Sequence, residues 1–218
     1  MTGAESFEPY PLILLLAGLS VLPFLLVVTT SFLKISMVLL IVRNAMGIQQ
    51  VPPNMALHGI ALALTIFIMA PTIQEISNKV DEVSLEDKSV SAILENVGPV
   101  AEPLRNFMTK QIHPDVKTMM LETAKGVWPA EMYEKTDKDN FLLLIPSFVI
   151  SELQTGLKIG FLIYVPFIVI DLLVSNILLA LGMQMVSPMT ISLPLKILLF
   201  VLVDGWAKLL HSLALSYV

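Results

Sequence analysis

Cysteine is absent from the chain, which excludes disulfides, thiolate nucleophiles and cysteine-held zinc or iron–sulfur sites. Charge is nearly as scarce, since only 14% of the 218 residues are Asp, Glu, Lys or Arg, against about a quarter in ordinary soluble domains. Nor is there an excess of basic residues. The formal net charge is −5, and no dense Lys/Arg stripe supplies the footprint that nucleic-acid binding requires. Histidines occur only at His58, His113 and His211, far apart in sequence, with no His-Glu-x-x-His run to hold a metal. The Gly-x-Ser-x-Gly elbow and the Gly-x-x-x-x-Gly-Lys-Ser/Thr phosphate loop are missing too. These absences predict a protein that is not an enzyme and carries neither a metal nor a cofactor.

What the chain has in quantity is apolar sequence. Hydrophobic residues make up 56% of it, and its mean hydropathy is +0.81. Of its 31 charged residues, 20 fall between positions 77 and 140, which leaves long uncharged stretches on both sides. Such stretches are long enough to cross a hydrocarbon core of about 30 Å. The pattern predicts an all-α integral membrane protein of helical hairpins with proline-broken helices, organised as one structural unit. Residues 1–76 would form an apolar hairpin, 77–140 a polar extracytoplasmic insert, and 141–218 apolar hairpins. No basic residue precedes the first apolar run, where Glu5 and Glu8 stand, so that helix is expected to be retained rather than cleaved as a secretory signal.

Proline and glycine suggest the finer divisions. Pro23 should kink the run 11–42. Gly47 and the stretch Val51-Pro52-Pro53-Asn54 should turn the chain into a second span over 55–76. In the insert, short helices near 90–94 and 116–124 should be broken by Gly98-Pro99, Pro103 and Pro114. Beyond it, 141–157 and 159–183 should form a hairpin turning at Lys158, followed by a last helix over 191–217. Arg43 and Lys158 are the basic residues nearest these two turns, and positive charge in short loops marks the cytoplasmic side, which puts the insert outside.

A charge facing lipid at mid-bilayer costs at least about 2.5 kcal/mol, so Glu152, Asp171, Lys158 and Lys196 need partners or water. Lysines at helix ends can snorkel to the interface, which suits Lys158 and Lys208. The pairing expected is Glu152 with Lys196, within the chain or across a subunit boundary. A rival reading makes Glu152 and Asp171 the titrating carboxylates of a proton-coupled permease. Gly156 and Gly160 form a Gly-x-x-x-Gly, a spacing that lets helix backbones approach closely. Met183, Gln184 and Met185 sit at a break between Gly182 and Pro188, where flexible thioethers can fill a core or seal against varied surfaces.

The run Pro146-Ser147-Phe148-Val149-Ile150-Ser151-Glu152-Leu153-Gln154-Thr155-Gly156-Leu157-Lys158-Ile159-Gly160 resembles the first signature of the type III secretion export gate family, SctR in injectisomes and FliP in flagella. A second signature is similar to Pro166-Phe167-Ile168-Val169-Ile170-Asp171-Leu172-Leu173-Val174-Ser175 with Ala180-Leu181-Gly182-Met183. Thr30-Ser31-Phe32, Arg43-Asn44-Ala45-Met46-Gly47, Pro52-Pro53-Asn54, Leu193-Pro194 and Val203-Asp204-Gly205-Trp206 add to the likeness. Two departures, the absence of a leader and the interrupted methionine run, favour the injectisome branch.

The resemblance implies a multi-pass inner-membrane protein of a Gram-negative bacterium that forms part of a pore for unfolded export substrates. It implies a ring of five copies, joined by SctT-type and SctS-type subunits in a cone drawn largely out of the bilayer. Met183, Gln184 and Met185 would be the gasket of that pore. Glu152 and Lys196 would be assembly charges.

Overall fold

The computed structural model describes residues 9–48, 51–82 and 90–218. Glu5 and Glu8, and part of the insert at 83–89, lie outside the described residues. Among the described residues there are nine helices and no strand: α1 (Pro9–Thr29), α2 (Phe32–Ala45), α3 (Asn54–Glu82), α4 (Val90–Gln111), α5 (Pro114–Val127), α6 (Ala130–Lys135), α7 (Phe141–Ala180), α8 (Pro188–Leu202) and α9 (Gly205–Leu215).

The first apolar run stays helical through Pro23 and bends after Thr29. The segments Pro23–Thr29 and Phe32–Ala45 meet at 78°. The hydroxyls of Thr29 and Thr30 donate to the carbonyls of Leu25 and Leu26 at 2.7 and 2.5 Å. Back-bonding of this kind competes with the helix's own amides for those acceptors. Two consecutive threonines therefore end α1, and Ser31 begins a new direction. On α2 the residues Ile35, Val38, Leu39 and Val42 recur at helical spacing and are fully buried. They centre the main core, which also takes Leu57 and Ala61 of α3, Phe167 of α7, Phe200 of α8, and Leu209 and Leu213 of α9. Gly47, at φ +78°, turns the chain after α2. Arg43 then donates to the Asn54 side chain at 2.5 Å and to the Pro52 carbonyl at 3.3 Å, holding the turn into α3.

Three expected helix ends are not there. α3 runs through Pro71 to Glu82, six residues past the expected limit. α4 continues through both Pro99 and Pro103. Pro103 has no amide to give the carbonyl four residues before it, which is that of Pro99. Lys79 of α3 supplies the donor instead, at 3.2 Å. α7 is one helix of 40 residues, not a hairpin turning at Lys158. Lysine is a good helix former, and the nearby Gly156 and Gly160 are packed against another helix, so nothing at this point breaks the backbone. At a rise of 1.5 Å per residue α7 is about 60 Å long, twice the hydrocarbon thickness.

The last segment divides. α8 ends at Leu202, Asp204 adopts a left-handed conformation at φ 52°, and α9 follows. α4 and α5 both pack along α7, with Met108, Leu144 and Phe148 forming a smaller core between α4 and α7. Among the described residues, two helices are long and apolar enough to cross a membrane, α3 and α7, and the bent α1–α2 pair makes a third candidate.

Candidate functional site

Glu152, Gly156 and Gly160 are spaced four apart on α7 and so occupy one face. The face of α2 that meets them carries Lys34, Met37 and Ile41. A β-carbon added at Gly156 would run into the end of the Met37 side chain, and one at Gly160 would come within 2.6 Å of Ile41. The Gly-x-x-x-Gly is thus a contact within the chain, where missing side chains let α2 lie close against α7.

That close approach puts Lys34 beside Glu152. Lys34 Nζ lies 3.3 Å from Glu152 Oε1, and both side chains are 2% exposed. The phenol of Tyr217, beyond α9, donates to the second oxygen, Oε2. Its ring lies under the Lys34 ammonium, 3.6 Å from Nζ to the ring centroid. Burial, and then the adjacent Glu152 carboxylate, push the Tyr217 phenol well above its ordinary range, so it stays protonated and acts as a donor. A carboxylate, an ammonium and an aromatic face together satisfy charges that neither lipid nor core would accept alone.

The expected pair of Glu152 with Lys196 is not formed in the chain. Lys196 binds Asp171 at 2.5 Å. Asp171 is 19 positions beyond Glu152 on an unbroken helix, which separates the two by about 28 Å along its axis. Lys196 is therefore five turns away from Glu152, under the turn that follows α2: a β-carbon on Gly47 would lie 4.0 Å from its Nζ. The second pair is built differently from the first. Lys196 is 7% exposed while Asp171 is 46% exposed. Each carboxylate that a permease would titrate is held by its own lysine.

Lys34 and Tyr217 were missed by sequence reasoning. Lys34 carried a usable signal, a lone cation in an apolar run and so in need of an acid, and Gly156 marked the helix face that could offer one. Nothing in the pattern around Tyr217 pointed to Glu152. Lys158 is exposed on α7, where it borders a groove of about 470 Å³ with His113, Asp115, Gln154 and Thr155. Since it does not mark a turn, the charge argument for orientation keeps only Arg43.

The methionines stand at the far end of α7. Gly182, at φ +72°, follows the last helical turn. The amide of Met183 reaches back to the Leu178 carbonyl at 2.9 Å, and that of Gly182 to Leu179 at 3.0 Å. These two bonds form the glycine-dependent helix stop known as a Schellman motif. Pro188 then opens α8, which returns along α7. Met183 is 42% exposed, Met185 100%, and Gln184 is exposed as well. In this chain the three residues form a projecting hairpin tip. The surface below is no less apolar: Leu157, Phe161, Leu162, Leu172 and Ile177 are each more than half exposed along α7. Contiguous apolar surface on this scale marks contact with lipid or with other protein.

The FliP family model matches residues 15–213. A harpin secretion protein, HrcR of Erwinia amylovora, is 56% identical over 215 residues, covering 99% of each chain. A harpin secretion protein called HrpW, from Pseudomonas syringae pv. syringae, is 60% identical over 94% of this chain and 99% of its own. The Yop proteins translocation protein R of Yersinia pestis is 44% identical over 94% of this chain and 95% of its own.

Proposed function

The chain belongs to the FliP family of type III secretion export components, and from that membership we propose that it is a pore-forming subunit of the export gate, conducting unfolded proteins across the bacterial inner membrane. The observation that carries this reading is the hairpin tip. Gly182 stops a helix of 40 residues and leaves Met183, Gln184 and Met185 projecting from its end. Thioether side chains deform without specifying a partner, and a conduit for many sequences needs such a seal.

The rest of the assembly follows the same reading. Five copies form a ring, joined by SctT-type and SctS-type subunits, and the exposed apolar faces of α7 and α8 lie against neighbours rather than lipid alone. A helix twice as long as the bilayer is thick suits a cone that rises from the membrane towards the periplasm. The insert forms the outer collar on that side. The half-exposed Asp171–Lys196 pair is the assembly charge site, and the sealed Glu152 pair is internal. The role is non-enzymatic, with energy supplied elsewhere in the apparatus. The harpin secretion and Yop translocation named for the relatives support the injectisome branch.

The test is joint replacement of Met183, Gln184 and Met185 by Ala in the assembled apparatus, with small-ion leakage and effector secretion recorded together. Raised leakage through an intact ring is the expected result. Unchanged leakage with the ring intact would remove the tip from the constriction.

A further inference from the structure

Lys158 and Asp115 line one groove without pairing with each other. The groove, of about 470 Å³, lies where the insert meets α7. One wall is α7, with Gln154, Thr155 and Lys158; the other is the start of α5, with Asp115 in its first turn. His113 fastens the two walls. Its amide donates to the Ser151 hydroxyl at 3.0 Å, and its ring Nε2 lies 2.9 Å from the Thr155 hydroxyl. Lys158 and Asp115 are both exposed, and among the described residues neither takes part in an ion pair. The groove thus offers a cation and an anion whose charges are not spent on each other.

The place of this groove along α7 says what kind of molecule reaches it. Lys158 stands 22 positions before Ala180, the end of the helix, or about 33 Å along its axis. That is close to the hydrocarbon thickness of about 30 Å, and the one charged residue in between, Asp171, is held by Lys196. Lys158 therefore marks a water boundary, with the insert above it. Below it the same face of α7 continues through Leu162, Val165, Val169 and Leu172, spaced four, three, four and three apart and all exposed. A polar groove at the head of an apolar strip has the order of a phospholipid, headgroup first and acyl chain after. We propose that the groove binds phosphatidylethanolamine, with Lys158 on the phosphate, Asp115 on the primary ammonium and an acyl chain along the strip. A choline headgroup has no N–H for Asp115 to accept, and a glycerol headgroup has no cation for it to meet. The lipid bridges α5 and α7, so a component of the bilayer fastens the insert to the membrane helix. The inference rests on the membrane character of the chain and not on the pore reading.

The test titrates the full-length chain in detergent with phosphatidylethanolamine, phosphatidylglycerol and phosphatidylcholine of identical acyl chains, and counts bound lipid by native mass spectrometry. Phosphatidylethanolamine should be retained in preference to each of the others by about threefold to fivefold, the size expected of a solvent-screened charge pair. Lys158→Gln should lower the binding of all three. Asp115→Asn should abolish the preference while phosphatidylglycerol binding stays the same or rises. Both side chains are exposed, and the ratio of two lipids within one variant does not depend on the fraction folded. Equal retention of the ethanolamine and choline lipids overturns the proposal, as does a preference for phosphatidylglycerol, which would make the groove a site for anions alone. No retained lipid, or a wild-type preference surviving in Asp115→Asn, overturns it too.

Discussion

The two ends of α7 handle the same problem, a carboxylate and a lysine in apolar surroundings, in opposite ways. At Glu152 the pair is sealed, with both partners 2% exposed and a tyrosine closing the remaining oxygen. At Asp171 the lysine is buried and the acid is open, at 46%. The packing differs in the same sense. Near Glu152, two glycines let another helix lie close; beyond Asp171 the hairpin leads to an exposed methionine tip. The lesson is that burial, more than the presence of an ion pair, distinguishes a charge that holds one chain together from a charge left available to a second.

The strongest way to break the comparison is Glu152→Ala. It leaves the Lys34 ammonium buried without its acid, at an expected cost of about 3–5 kcal/mol, read as a lower thermal midpoint in detergent and loss of the assembled gate. A cost no larger than that of Asp171→Asn would erase the distinction. The double replacement Lys34→Met with Glu152→Leu sharpens it, since removing both charges of a buried pair is often nearly neutral; most of the stability lost in Glu152→Ala should return. Gly160→Ala comes next, at about 1–3 kcal/mol for overpacking against the branched Ile41. Gly156→Ala should cost less, because the flexible end of Met37 can move. The smallest effect is expected of Asp171→Asn: the acid is 46% exposed and Asn still offers an oxygen to the buried Lys196, so the loss should stay at about 1 kcal/mol, with secretion retained. Abolished export in a normally assembled gate would show that the open carboxylate acts in transport.

The all-helical membrane character was legible because charge scarcity and long apolar runs are properties of windows, insensitive to where any residue points. The insert's crowded charges at 77–140 were legible for the same reason. What failed were inferences from single residues. Pro99 and Pro103 were expected to break a helix, yet α4 runs through both, and a lysine from another helix supplies the donor that Pro103 lacks. Lys158 was expected to mark a turn, yet it sits on the exposed side of a continuous helix. The partner of Glu152 was sought in the last apolar segment, when the glycines four and eight positions on already marked the face that needed a close neighbour. For Glu152 the deciding contact came from α2, an element distant in sequence.

The lysine that reaches α4 from the helix before it has a consequence for the order in which the protein is built. A helix carrying Pro99 and Pro103 lacks two amide donors, and the Pro99 carbonyl is left without one until Lys79 is alongside; Lys79 belongs to a helix made earlier in synthesis. α4 therefore gains one of its bonds from a helix already present, and this part of the insert is tied to the span before it.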